Sequence, residues 1–244
     1  MRTLNFAKRK LTELVRHPFG LVYTIVLPLF LLYIFQQFNL PNESFALTNF
    51  TPGIIIFSFA FITLFTSTLV ARDRTTSFLI RLGVSPMKPI EYICGYALAI
   101  IPIIIVQNVL FFALAMILGL KFSLSIILTI FVSLFIAILF IMMGLLIGST
   151  VSEKGASGIS SVIVQFVCFT SGMYFPNEIL VASFKMICKI LPFESSLTIL
   201  KGIMNNNLSI ISARNIITFI LYTVIITILA AITFKKKMIS DNKN

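Results

Sequence analysis

Charge is scarce in these 244 residues. There are 8 acidic and 19 basic side chains, and together they make up 11% of the chain. Soluble domains carry roughly 25% charged residues. The shortage excludes an ordinary water-facing globular surface. Histidine occurs once, as His17 before Pro18. A metal or catalytic site needs partners, so His17 reads as a boundary residue. The three cysteines, Cys94, Cys168 and Cys188, have neither metal-ligand nor disulfide spacing and read as small apolar filler. No Gly-x-x-x-x-Gly-Lys-Ser/Thr loop is present, and no polar stretch is large enough for a nucleotide domain. The chain therefore reads as having no catalytic site, no metal site and no bound cofactor.

Apolar residue types fill 58% of the sequence. A membrane span needs about 20 mainly apolar residues. Six stretches qualify: Phe19–Phe38, Gly53–Val70, Ile93–Leu120, Ile126–Gly148, Gly158–Phe175 and Asn215–Phe234. They lack strand alternation, so the predicted class is an all-α integral membrane protein with six transmembrane helices. The first run is too long for a cleaved signal, contains Pro28 and has no small-x-small site after it. None of the six contains Asp, Glu, Lys, Arg or His. Proton-coupled carriers usually keep such a group inside the membrane, so any work done must draw on another polypeptide.

The cations set an orientation. Arg2, Lys8, Arg9, Lys10, Arg16, Arg72, Arg74, Arg81, Lys88, Lys154, Lys235, Lys236, Lys237 and Lys243 fall on one side, 14 of the 19. Lys121, Lys185, Lys189, Lys201 and Arg214 fall on the other. The richer side is expected inside, with both termini. The net charge of +11 is thus mainly a topology signal, and nothing points to nucleic acid. The Ile-, Lys- and Asn-rich usage fits a bacterial cell membrane.

The layout that follows has three parts. Residues 1–18 form an amphipathic interfacial helix with Leu4, Ala7, Leu11, Leu14 and Val15 on one face. Residues 19–234 form the six-span domain, and residues 235–244 a basic tail. Within the second part an outer loop covers about 176–212. It holds an apolar face of Ile179, Leu180, Phe184, Ile187, Ile190 and Leu191, stopped by Pro192, then a short apolar piece, Leu197–Met204. These are expected as one or two short helices in the outer leaflet, followed by a turn at Asn205–Asn207.

ARDRTTSFLIRLGVSP, residues 71–86, is the charged exception between two apolar runs. On a helical wheel Thr75, Phe78, Leu79 and Leu82 share a face, Arg74, Ser77 and Arg81 flank it, and Asp73 lies opposite. Ile80 points away from that face. The stretch reads equally as a basic interfacial loop or as a helix wedged between bilayer and a protein groove. Inside the spans, Gln107 and Asn108 need partners in hydrocarbon. They suit helix–helix hydrogen bonds or a polar patch on a substrate path. Thr63, Thr66, Gln165 and Ser171 pose the same choice. Gly144-Leu-Leu-Ile-Gly148 allows close helix approach, expected within the chain.

Three segments together resemble the type-2 exporter class of ABC-transporter permeases. ARDRTTSFLIRLGVSPMKPIEYICGY (71–96) is similar to that class's charged segment after the second span, although Ala71 replaces an acidic residue and Thr75 a common glycine. SGMYFPNE (171–178) resembles its exit from the fifth span, and LPFESSLTILKGIM (191–204) its proline-led segment before the sixth. The resemblance implies a pair of permease chains, identical or related, above a cytosolic ABC ATPase dimer that binds ATP and Mg. It implies a coupling helix at about 72–83, with Asp73, Arg74, Phe78, Leu79, Arg81 and Leu82 at the ATPase. The implied cargo is amphipathic: drug, peptide or lipid. Outside that class stand a membrane scaffold recruiting a cytosolic partner and an ion-coupled carrier.

Overall fold

A computed structural model describes residues 2–16, 19–38, 43–75, 88–174 and 180–241. Among these the elements are nine α-helices and two short 3-10 turns, with no strand. In chain order the helices are α1 (Arg2–Arg16), α2 (Phe19–Gln37), α3 (Leu47–Thr75), α4 (Pro89–Ile117), α5 (Leu124–Thr150), α6 (Glu153–Thr170), α7 (Ala182–Ile190), α8 (Pro192–Met204) and α9 (Ala213–Asp241). Helices are what an apolar chain forms where water cannot serve its backbone, because each closes its own hydrogen bonds.

Among the described residues four helices are long and apolar enough to cross a membrane: Leu47–Arg74 of α3, α4, α5, and Ala213–Lys236 of α9. The multi-pass helical class is as expected, with four such helices where six spans were expected. The described apolar run of α2, Val22–Gln37, is shorter and contains Pro28. The expected fifth span, Gly158–Phe175, is displaced. Its helix, α6, starts earlier, at Glu153 and Lys154, and stops at Thr170, so polar residues occupy its first turns.

The central helix is α3, packed against α2, α5, α6 and α8. Ile54, Ile55, Ile56, Phe59, Ala60 and Ile62 are all fully buried, the pattern of a helix apolar on every side. Its closest neighbour is α5, which Gly144 and Gly148 admit. A Cβ on Gly144 would stand 2.8 Å from the Thr63 carbonyl oxygen, and one on Gly148 would strike that of Ser67. The two glycines therefore serve packing within the chain, as their spacing led one to expect. At the periphery, α9 leaves Ile217, Leu221, Ile228 and Ile232 exposed, a surface suited to hydrocarbon.

Pro192 does not merely end a helix. Leu191 closes α7 and precedes α8, and Pro192 occupies the first turn of α8, where its missing N–H costs nothing. The apolar piece expected at Leu197–Met204 is thus the end of a longer helix. That helix packs among α3, α5 and α9 and brings Phe193 to 5.8 Å from Phe140. Asn206 then turns the chain with φ 53°, a conformation asparagine tolerates.

Candidate functional site at the base of the central helix

The last turn of α3 carries Arg72, Asp73 and Arg74. The first residues of the expected coupling helix are thus a continuation of a core helix. Asp73 is 3% exposed and Lys10, on α1, is 1% exposed. The Lys10 ammonium lies 2.8 Å from both Asp73 oxygens. The Tyr96 hydroxyl, on α4, donates to Asp73 Oδ2 at 2.6 Å. One carboxylate therefore fastens three helices, α1, α3 and α4.

Neighbouring charges extend the cluster. Lys10 also donates to Glu13 Oε2 at 2.8 Å, and Arg72 reaches Glu13 Oε1 at 3.4 Å. Partial burial alone would raise the Glu13 carboxyl; Lys10, Arg72 and Arg9 outweigh it and hold the group below the ordinary carboxylate range. Arg74 turns the other way. It donates to the carbonyls of Gly148 at 3.2 Å and Val151 at 3.4 Å. These lie at the C-terminus of α5, where carbonyls are unsatisfied and the helix dipole is negative.

Aromatic packing seats α1. Phe6 meets Tyr92 and Tyr96 edge-on, with ring centroids at 5.3 and 5.2 Å. Gly95 leaves the space, since a Cβ there would overlap the Phe6 ring. Phe234 of α9 approaches the same tyrosines at 6.4 and 6.5 Å. The buried face of α1 is Phe6, Ala7, Lys10 and Leu14, whereas Leu4 and Val15 are exposed. The expected apolar face is therefore rotated, because a ring and an ion pair, not aliphatic residues alone, dock this helix. The missed residues are Phe6, Lys10, Gly95 and Tyr96. The i, i+4 spacing of Phe6 and Lys10, mirrored by Tyr92 and Tyr96, was the available signal.

Of the expected coupling residues, Asp73 and Arg74 sit in this junction, while Phe78, Leu79, Arg81 and Leu82 lie outside the described residues. The expected pathway residues are not gathered into one lining. Thr63 donates to the Phe140 carbonyl at 2.9 Å in the α3–α5 seam, and Thr66 is buried beside Gly144. Gln107 donates to Ser58 of α3, and Asn108 donates to Ser133 of α5 at 2.7 Å. Gln165 is exposed on α6. Ser171 is buried at the far end, lining a cavity of about 220 Å³ with Glu194 and Lys201. No cluster of His, Cys, Asp or Glu able to hold a metal occurs among the described residues.

The helices and their junction describe a multi-pass α-helical membrane protein whose central helix ends in a charged, firmly fastened base. The profile of the ABC-2 type transporter family matches residues 3–205, so the chain belongs to that family. The match covers the junction and helices α1 to α8. No curated protein sequence matches the chain.

Proposed function

We propose that this chain is the permease subunit of an ATP-driven ABC exporter in a bacterial cell membrane. A cytosolic ABC ATPase dimer, holding ATP and Mg, supplies the energy, and a second permease chain stands beside this one. The cargo is an amphipathic drug, peptide or lipid. Both termini face the cytosol.

The observation that carries this reading is the fastening of Asp73 and Arg74. A segment pulled by a motor passes force only if its root is held by more than one helix. Here the root is tied to α1 and α4 through Asp73 and to α5 through Arg74. Displacement of residues 76–87 then shifts four helices together instead of bending one. The α3–α5 seam, closed by Gly144, Gly148 and the Thr63 bond, moves as a unit with them.

The test co-expresses the chain with the ABC ATPases of its own cell, one at a time. Stable co-purification and altered ATP hydrolysis on association are expected. Phe78→Asp and Leu82→Asp should each abolish that alteration and stop transport while membrane insertion is normal. Transport that survives both changes, or solute movement by the purified chain without any ATPase, overturns the reading.

A further inference from the structure

Helix α1 presents three different sides. Phe6, Ala7, Lys10 and Leu14 are buried against the bundle. The next side around the helix holds Leu4, Leu11 and Val15. Leu4 is 63% exposed and Val15 61%, so this apolar strip faces outward. Beyond it comes a polar row, Lys8, Thr12 and Arg16 at i, i+4 and i+8, with Asn5 and Arg9 beside it. All five of these polar residues are exposed. Together with Glu13 they border an open groove of about 570 Å³.

Charge in the groove is one-sided. Glu13 is the one carboxylate among its lining residues, and Lys10 and Arg72 already hold it. Lys8 and Arg16 enter none of the ion pairs among the described residues. At the same end of the bundle Lys88, Lys154, Lys235 and Lys236 outnumber Glu91 and Glu153. The field there is positive and draws anions. Depth identifies the anion. Phe6 packs on Tyr92 and Tyr96, which lie within roughly 10 Å of the start of α4. Leu14 shares a cavity wall with Leu69 and Arg72, in the last turns of the α3 span. Both ends of α1 are therefore level with the terminal turns of membrane-crossing helices, the depth at which amphipathic helices meet headgroups. An acidic cytosolic protein would meet the cations and leave Leu4 and Val15 uncovered. A phospholipid meets both.

We propose that the exposed edge of α1 is a binding site for an anionic phospholipid. The phosphate sits over Thr12, between Lys8 and Arg16, and the acyl chains run along Leu4, Leu11 and Val15. The two cations start about 12 Å apart along the helix axis, a gap that two long side chains close over a short one. The Thr12 hydroxyl is turned to the Lys8 carbonyl at 2.9 Å, which leaves the cations as the donors. The bound lipid then seats α1 from the side opposite α4. The site does not depend on the transport reading, because it needs neither an ATPase nor a cargo.

The test titrates the purified full chain, stripped of lipid in mild detergent, with phosphatidylglycerol or with phosphatidylcholine of the same acyl chains. Native mass spectrometry counts the bound lipid. Phosphatidylglycerol should bind the more tightly. Lys8→Gln and Arg16→Gln, both at exposed positions, should each weaken it about fivefold, and the double variant should bring it down to the level of phosphatidylcholine. Leu4→Ser with Val15→Ser should weaken both lipids. Lys154→Gln with Lys235→Gln, the same loss of charge at exposed positions elsewhere on the basic end, is the control and should leave binding unchanged. Equal affinity for the two lipids, an equal loss in the control, or displacement of phosphatidylglycerol by soluble glycerophosphoglycerol overturns the proposal. So does wild-type lipid binding in the Lys8, Arg16 double variant, and if that variant also fails to co-purify with an ATPase, the face belongs to the motor. No ATPase is present in the titration, so its failure leaves the coupling reading untouched.

Discussion

Lys10 shows how one side chain can be counted correctly and still be misread. Among the cations of the N-terminal helix it looks like part of a basic surface, yet it is 1% exposed and lies 2.8 Å from both oxygens of Asp73. A buried pair is costly to desolvate, so it adds little net stability, but removing one partner strands the other. Lys10→Met should therefore cost about 3–5 kcal/mol, while Lys10→Met with Asp73→Leu should recover most of the loss. Thermal unfolding of the purified variants measures this. A surface lysine would shift stability by only about 0.5 kcal/mol, and that result would remove Lys10 from the junction. The partner on α3 was not legible because pattern reading treats residues 1–16 and 71–75 as separate stretches. Only the fold brings them within bonding distance.

At the scale of elements, the long apolar helices were readable because hydropathy over 20 residues reports burial in hydrocarbon directly. Helix limits were less so. The run after Ser152 was read from Gly158, but the Ser152 side chain accepts from the Gly155 N–H and starts α6 earlier, in polar residues. The joint of α7 and α8 was missed because a proline that ends one helix suits the first turn of the next. The Gly144–Gly148 repeat was legible, and its partner is now defined as the α3 backbone. Gly148→Val puts a branched side chain against the Ser67 carbonyl and Val70. Overpacking of this kind costs about 1–3 kcal/mol, and backbone, unlike a side chain, cannot rotate away. The expected outcome is a lowered thermal midpoint, with recovery in detergent falling accordingly. Gly158→Val, at a glycine with nothing within 4 Å, is the control and should behave as wild type. Equal loss in both variants would mean that valine harms any helix of this protein, and the close α3–α5 approach would explain nothing.

For the whole molecule, the fold collects the cations that the sequence lists separately. Phe234 packs on Tyr92 and Tyr96 beside α1, so Lys235 and Lys236 follow at the end that holds Arg9, Arg72 and Arg74. Lys121, Lys201 and Arg214 border the opposite turns. Helix α1 and the last turns of α9 thus sit at the basic end of the bundle, and the proposed orientation puts that end in the cytosol, where lysine and arginine are retained. Single cysteines can read that orientation once Cys94, Cys168 and Cys188 are replaced by alanine. Thr12 is exposed on the polar face of α1, and Ser209 is exposed in the 3-10 turn Leu208–Ile210 at the other end. In intact cells a membrane-impermeant maleimide should modify Ser209→Cys and leave Thr12→Cys untouched until the membrane is permeabilised. The reverse pattern would put the Asp73 junction outside the cell, beyond reach of any ATP-consuming partner, and force would have no path into α3.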